Sequence, residues 1–328
     1  MKSLAFVAAM TLAGTAMAQT PVLTVYTYDS FVSDWGPGPA VEKAFEETCG
    51  CDLQFVGTGD GAEMLARLRL EGARTKADVV LGLDANQIAT ARATGLFAPH
   101  GQTLDGLSAA IQWSDDQFLP FDWGYFAFVY DRNVVKDVPA TFRELIESDL
   151  KIIIQDPRSS TPGLGLLLWI EAAYGEKSAE IWEGLAPHFV TVTKGWSEAY
   201  GLFLEGEADM VLSYTTSPLY HLIAEDDASK GAAFFTEGHY MQIEVAGKIA
   251  STDQPALANA FLEFVRSDRF QEIIPTSNWM YPAFLPVEKW PDGFAPVEGS
   301  LTGLMFGPEE AAQKRAGALA EWLDVLSR

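Results

Sequence analysis

Apolar positions in this chain fall into short runs separated by stretches of helical spacing. Residues 22–28 read as a strand that ends in an aromatic, Tyr28, and a carboxylate, Asp29. Val41, Ala44, Phe45 and Thr48 then recur at helical spacing, with Pro39 at the first helical position and Gly50 as the C-cap. A second strand is expected over 53–56, a helix over 62–70, a buried strand over 78–83 and a helix over 86–94 that stops at Gly95. Short apolar strands alternating with helices predict an α/β fold, a mostly parallel sheet with helices on both faces. Two long stretches break that rhythm. Residues 118–130 are aromatic and alternate poorly, as a strand crossing between two lobes does, and residues 238–246 form a candidate return crossing. The last third turns helical again over 255–267 and 308–326.

Two distant segments share a pattern. Leu70-Glu71-Gly72 precedes Ala77-Asp78-Val79-Val80-Leu81-Gly82, and Leu204-Glu205-Gly206 precedes Ala208-Asp209-Met210-Val211-Leu212-Ser213. Each is a helix end, a glycine and a strand that delivers polar residues at its carboxyl end. Ligands of open α/β sheets bind outside the carboxyl ends of strands. The pattern predicts two similar lobes, each presenting a binding edge, although Ala-Asp before an apolar run is also a common strand start. The crossings divide the chain into residues 19–120 plus 241–328 as one lobe and 121–240 as the other.

The N-terminus has the order of a secretory signal: Lys2, an apolar stretch over 4–13, and Ala16-Met17-Ala18 as a cleavage site. The stretch is shorter than the ~20 residues of a membrane span. Removal of 18 of the 328 residues leaves 310, enough for two domains. The net charge of −23 becomes one unit more negative when Lys2 leaves, which repels nucleic acid and anionic lipid. The only cysteines, Cys49 and Cys51, are separated by one glycine. An even count in an oxidising compartment points to a disulfide, with free thiols or a reactive pair as the alternatives. No Cys or His cluster accompanies them to make a metal site.

Several blocks, in order and spacing, resemble one family. They are 24–31, Asp34-Trp35-Gly36-Pro37-Gly38-Pro39, 77–84, Gln155-Asp156-Pro157-Arg158, Ser160-Thr161-Pro162-Gly163-Leu164-Gly165, 194–200 and Ser213-Tyr214-Thr215-Thr216-Ser217-Pro218. Together they are similar to the periplasmic thiamine-binding proteins of bacterial ABC importers, which also carry Cys-x-Cys at the position of Cys49. The resemblance implies a two-lobed periplasmic binding protein (type II), each lobe a mostly parallel sheet flanked by helices, with the ligand in the cleft between lobes. It implies capture of thiamine and its mono- and diphosphate without a cofactor, no catalysis, and delivery to the membrane subunit of an ABC permease by a monomer in the periplasm.

Thiamine joins an aminopyrimidine to a cationic thiazolium with a hydroxyethyl tail. Flat rings are held by aromatic faces and the cation by a carboxylate or a π face. The resemblance implies that Tyr28, Trp196, Tyr220 and Trp279 supply the aromatic wall, that Asp60 accepts from the aminopyrimidine, and that Gly61 lets backbone approach. Thr161 as N-cap and Pro162 at the first helical position make a helix start whose amides favour an anion. Capping alone explains that block on sequence; the resemblance makes Ser160 and Thr161, with Tyr214, Thr215, Thr216 and Ser217, the receiver of the polar tail. Arg158 is as well placed to brace Asp156 as to meet a phosphate.

Three other functions fit parts of the pattern. A thiaminase-like enzyme needs a cleft cysteine, and the only cysteines lie near a helix C-terminus, where the dipole disfavours a thiolate. Ferric binding needs adjacent tyrosines with a His or carboxylate, whereas His100, His188, His221 and His239 are scattered. A receptor for a polyamine or another organic cation could use the same aromatics and Asp60.

Overall fold

The computed structural model describes residues 20–294 and 301–327. The expected signal at 1–18 lies outside them. The first half of the fold runs β1 (Val22–Thr27), α1 (Gly38–Cys49), β2 (Asp52–Gly57), α2 (Gly61–Glu71), β3 (Val79–Asp84) and the long β4 (Phe118–Asp131). The second runs β5 (Ile152–Gln155), α3 (Thr161–Tyr174), β6 (Phe189–Thr193), α4 (Trp196–Leu204), β7 (Met210–Tyr214) and α5 (Ser217–Ala224). The chain returns through β8 (His239–Ile249) and finishes in α6 (Pro308–Leu326).

The strand order is β2-β1-β3-β8-β4-β7-β5-β6. β2, β1 and β3 are parallel, as are β7, β5 and β6. Between these blocks stand β8 and β4, antiparallel to each other and to their outer neighbours. Both expected crossings are therefore strands. β4 pairs with β8 over Phe118–Tyr125 and with β7 over Phe126–Tyr130, so a single strand serves both blocks.

Each block has its own core. Leu23, Val25, Val41, Phe45, Val79, Phe118, Phe121 and Phe261 belong to the first, and Phe126, Phe128, Phe142, Ile152, Leu167, Trp169 and Tyr240 to the second. The fold is the expected two-lobed α/β arrangement. One element departs from the expected division. α6, expected with residues 19–120, buries Ala311, Ala318, Trp322 and Val325 in the second core. Its amphipathic face matches α3, and Lys314 reaches Glu171 of α3 at 2.9 Å. α6 also touches the turn Ala85–Gln87 of the first lobe, so it clasps both.

Local signals explain the element ends. Gly50 closes α1 in the left-handed region, φ +61°. Cys49 and Cys51 flank it and are joined in a disulfide with Cα atoms 5.2 Å apart; no described cysteine is free. α3 starts one residue earlier than expected. Ser160, and not Thr161, is the N-cap, and Thr161 and Pro162 are the first two helical residues. The Ser160 hydroxyl makes no cap, because it is used elsewhere.

Candidate functional site

The carboxyl ends of β1, β2, β5, β6 and β7 converge on a cavity of about 350 Å³ between the lobes. That is within the roughly 300–1,000 Å³ usual for small-molecule sites. Tyr28, Asp60, Thr161, Trp196, Tyr214, Ser217, Tyr220 and Trp279 line it, eight of the twelve residues expected there. No lysine, arginine or histidine is among the described lining residues.

The aromatic wall is braced from behind. Trp196 stacks on Tyr200 with ring centres 5.0 Å apart, and its indole N–H donates to Ser213 Oγ at 2.8 Å. Ser213 and Ser217 share a 2.7 Å hydrogen bond, and Ser217 Oγ accepts from the Tyr214 amide. Ser217 therefore secures the wall as well as facing the cavity. Tyr220 meets Trp279 edge-on at 5.3 Å. Trp279 holds a left-handed backbone, φ +56°, a strained state for a bulky residue that packing must maintain.

The acidic side is a hydrogen-bonded network. Tyr28 OH donates to Glu244 Oε2 at 2.9 Å and lies 3.1 Å from Asn278 Oδ1. Gln242 Nε2 donates to Glu244 Oε1 at 3.0 Å, and Tyr214 OH donates to Gln242 Oε1 at 2.8 Å. Asn278 Nδ2 donates to Asp122 Oδ2 at 2.6 Å and lies 3.5 Å from Glu244 Oε2. Glu244 and Asp122 are register partners on β8 and β4, and both are buried. Burial, then the Asp122 charge, pushes Glu244 well above the carboxylate range. Burial pushes Asp122 up to about 7. Tyr28 is also raised well above its ordinary value, by burial first and then by Glu244.

Tyr28 can bring the edge of its ring against β3 because residue 82 is glycine. Gly82 has φ +101°, and a Cβ there would sit 2.3 Å from the Tyr28 ring.

Asp60 is where the lobes meet. It caps α2, accepting from the Gly61 amide at 3.1 Å, and Ser160 Oγ donates to its Oδ2 at 2.8 Å. Burial raises its pKa, while Ser160 and the Gly61 and Thr161 amides act the other way. The anion at the start of α3 in this structure is thus the carboxylate of the opposite lobe. Gly61 does not line the cavity; a Cβ there would come within 2.5 Å of Thr161 Oγ1, so what approaches it closely is the other lobe. Thr215 and Thr216 are buried, do not line the cavity, and have hydroxyls with no hydrogen-bond partner among the described residues. Arg158 grips Asp156 through Nε at 2.9 and 3.0 Å and through Nη2 at 2.5 Å, which leaves it braced and away from the cavity.

Sequence reasoning missed Glu244, Asp122, Asn278, Gln242, Tyr200 and Trp35. Trp35 is half-exposed at the rim, 6.2 Å from Trp196 between ring centres. A lone acid inside an apolar crossing strand was the available signal for Asp122 and Glu244, since such groups are rarely buried without a purpose.

Comparison with known proteins decides the family. The family model described as bacterial extracellular solute-binding protein matches residues 8–272. This chain belongs to that family. The thiamine-binding periplasmic protein of Escherichia coli (strain K12) is 54% identical over 310 residues, 94% of either chain. That of Brucella melitensis biotype 1 is 46% identical over 308 residues, 93% of this chain and 92% of its own. A solved structure of a periplasmic thiamin binding protein is 54% identical, covers 94% of this chain and 97% of that one, and superposes with a TM-score of 0.91. Solute-binding proteins of this family are transport proteins and not enzymes. Both cysteines are joined in the disulfide, and neither is among the described lining residues of the cavity.

Proposed function

We propose that this protein captures thiamine, and its mono- and diphosphate, in the periplasm and delivers the ligand to the membrane subunit of an ABC permease. The observation that carries the reading is a cavity walled by Tyr28, Trp196, Tyr220 and Trp279, lined by Asp60 and Glu244 and with no basic side chain among its described lining residues, in a chain about half identical to thiamine-binding relatives. Flat rings bind the aromatic faces, and a cationic ring is neutralised by buried carboxylates. The site residues of the proposal are Tyr28, Asp60, Ser160, Thr161, Trp196, Tyr214, Ser217, Tyr220 and Trp279, joined by Glu244. Gly61, Thr215 and Thr216 support the walls from outside the cavity. Residues 19–120 with 241–294 form one lobe and 121–240 with α6 the other, exported by the signal at 1–18 and acting as a monomer. Closure of the lobes, held by Ser160 on Asp60, presents the loaded form to the permease.

Calorimetric titration of unfolded, dialysed and refolded mature protein tests the reading, because refolding removes any co-purified ligand. One-to-one binding of thiamine near roughly −12 kcal/mol, with thiamine recovered intact, is expected. Folded protein that ignores thiamine and answers to spermidine or ferric citrate would replace the proposal with an organic-cation or iron receptor.

A further inference from the structure

The acidic side of the cavity holds more carboxyls than one cation needs. Glu244 lines it, with Asp122 behind it on the neighbouring strand. Both Glu244 oxygens already accept hydrogen bonds, from Tyr28 and Gln242, and Asp122 Oδ2 accepts from Asn278. Asp122 Oδ1 is buried with no hydrogen-bond partner among the described residues. Two adjacent carboxylates away from water cannot both stay charged, so one proton is shared between them.

The surroundings supply no obvious replacement for that proton. From β3, Asp84 stands opposite Glu244 in the strand register, itself pushed up to about 7 by burial. Asp60 adds negative charge from the start of α2. Tyr28 faces the pair from the end of β1, Tyr214 from β7 by way of Gln242, and Asn278 from the turn before Trp279. Arg315 of α6 acts on Asp84. No basic group is among the described residues that line the cavity.

We infer that capture of the organic cation is coupled to release of a proton from the Glu244–Asp122 pair, so that the cleft exchanges one positive charge for another. The inference rests on the proposed ligand and adds a regulation of that site. In the empty cleft the pair is neutralised by H⁺. When the thiazolium arrives, its fixed charge takes over that role and the proton leaves to solvent, so no charge is created or lost. The coupling makes affinity rise with pH over the range in which the empty pair holds its proton and the loaded pair does not, approaching tenfold per pH unit for a full proton. Below that range both forms keep the proton and affinity no longer changes with pH.

Titration of the intact mature protein with thiamine at pH 7, in buffers of different ionisation enthalpy, counts the protons directly. A release approaching one per thiamine is expected, with affinity increasing from pH 6 to pH 8. The uncharged isostere in which a thiophene replaces the thiazolium keeps the aminopyrimidine, so the difference between the two ligands belongs to the ring charge. It should bind without proton release. Glu244→Gln should abolish the release for thiamine, and Asp122→Asn serves as the second variant should the first fail to fold. Tight thiamine binding with no proton release, or equal release with the neutral isostere, overturns the coupling and leaves the thiamine reading standing. Failure to bind thiamine at all defeats that reading and the coupling with it.

Discussion

The strands β3 and β7 can be laid on each other residue by residue, Ala77 on Ala208 through Gly82 on Ser213. Asp78 and Asp209 do the same thing in both lobes. Asp78 Oδ2 accepts from the Thr24 amide of β1 at 2.8 Å, and Asp209 Oδ2 accepts from the Lys151 amide before β5 at 2.8 Å. Each carboxylate fixes the neighbouring parallel strand. Four residues on, the lobes diverge. Gly82 makes room for the ring of Tyr28, and Ser213 holds the indole of Trp196 by a hydrogen bond. The same register position supports a cavity aromatic in both lobes, once by absence of a side chain and once by a polar one. The first lobe thereby carries a rigid tyrosine tied to the acidic network, and the second an aromatic stack backed by hydroxyls. In the proposed reading the carboxylates come from the first lobe, while both lobes give aromatic faces, Trp279 from the first and Trp196 from the second.

Substitution at Gly82 should break that comparison most severely. Gly82→Ala places a Cβ 2.3 Å from the Tyr28 ring and also strains a backbone at φ +101°. Overpacking and left-handed strain each cost about 1–3 kcal/mol, so a loss of about 3 kcal/mol in urea unfolding is expected. Ser213→Ala removes only hydrogen bonds, about 1 kcal/mol, and should leave the fold intact. Equal losses at the two positions would show that Tyr28 is not pinned as described.

The next effect tests the division of labour. Trp196→Ala should weaken thiamine and its neutral thiophene isostere alike, by about 2 kcal/mol or roughly 30-fold, since a ring face serves any flat ligand. Competition titration with both ligands measures it. A loss confined to thiamine would move recognition of charge to the second lobe.

Much of this was legible in the sequence. Periodicity locates the strands, and the run at 118–130 reads as a crossing because it is long, aromatic and poorly alternating; in the structure it is buried on both faces over most of its length. Tyr28, Asp60 and Trp196 follow strand ends and Tyr220 lies in α5; the family resemblance, more than local pattern, marks Asp60, Trp196 and Tyr220 as site residues. Glu244 and Asp122 did not stand out, because they sit inside crossing strands and matter only through a cross-strand register that composition does not reveal. Thr215 and Thr216 are expected in the cavity from the family resemblance. The turn into α5 points them inward, which no local pattern distinguishes. The sequence places α6 with residues 19–120, whereas Trp322 and Lys314 pack on the second core; its amphipathic pattern alone fits either lobe.

Ser160 sharpens the comparison further, since its hydroxyl bridges the lobes to Asp60. Ser160→Ala should cost about 1 kcal/mol, close to fivefold in affinity, and shift the free protein toward the open form in small-angle scattering. An equal loss for thiamine and its monophosphate fits a latch. A larger loss for the monophosphate would place Ser160 at the polar tail instead, and Asp60 would then have to yield the start of α3 to the ligand.

The smallest effect concerns a second bridge that looks equivalent on paper. Lys194 reaches Glu63 at 3.0 Å across the same cleft. Its side chain is 69% exposed, so water and salt screen the pair, whereas Ser160 is fully buried. Exposed pairs contribute a few tenths of a kcal/mol at best. Lys194→Ala should therefore change thiamine affinity less than twofold in 0.15 M salt, and the remaining difference should vanish at 0.5 M, where the screening length falls to about 4 Å. Titrations of wild type and variant at both salt concentrations decide it. A salt-resistant loss of fivefold or more would mean that the rim of the cleft, and not its buried centre, holds the lobes together.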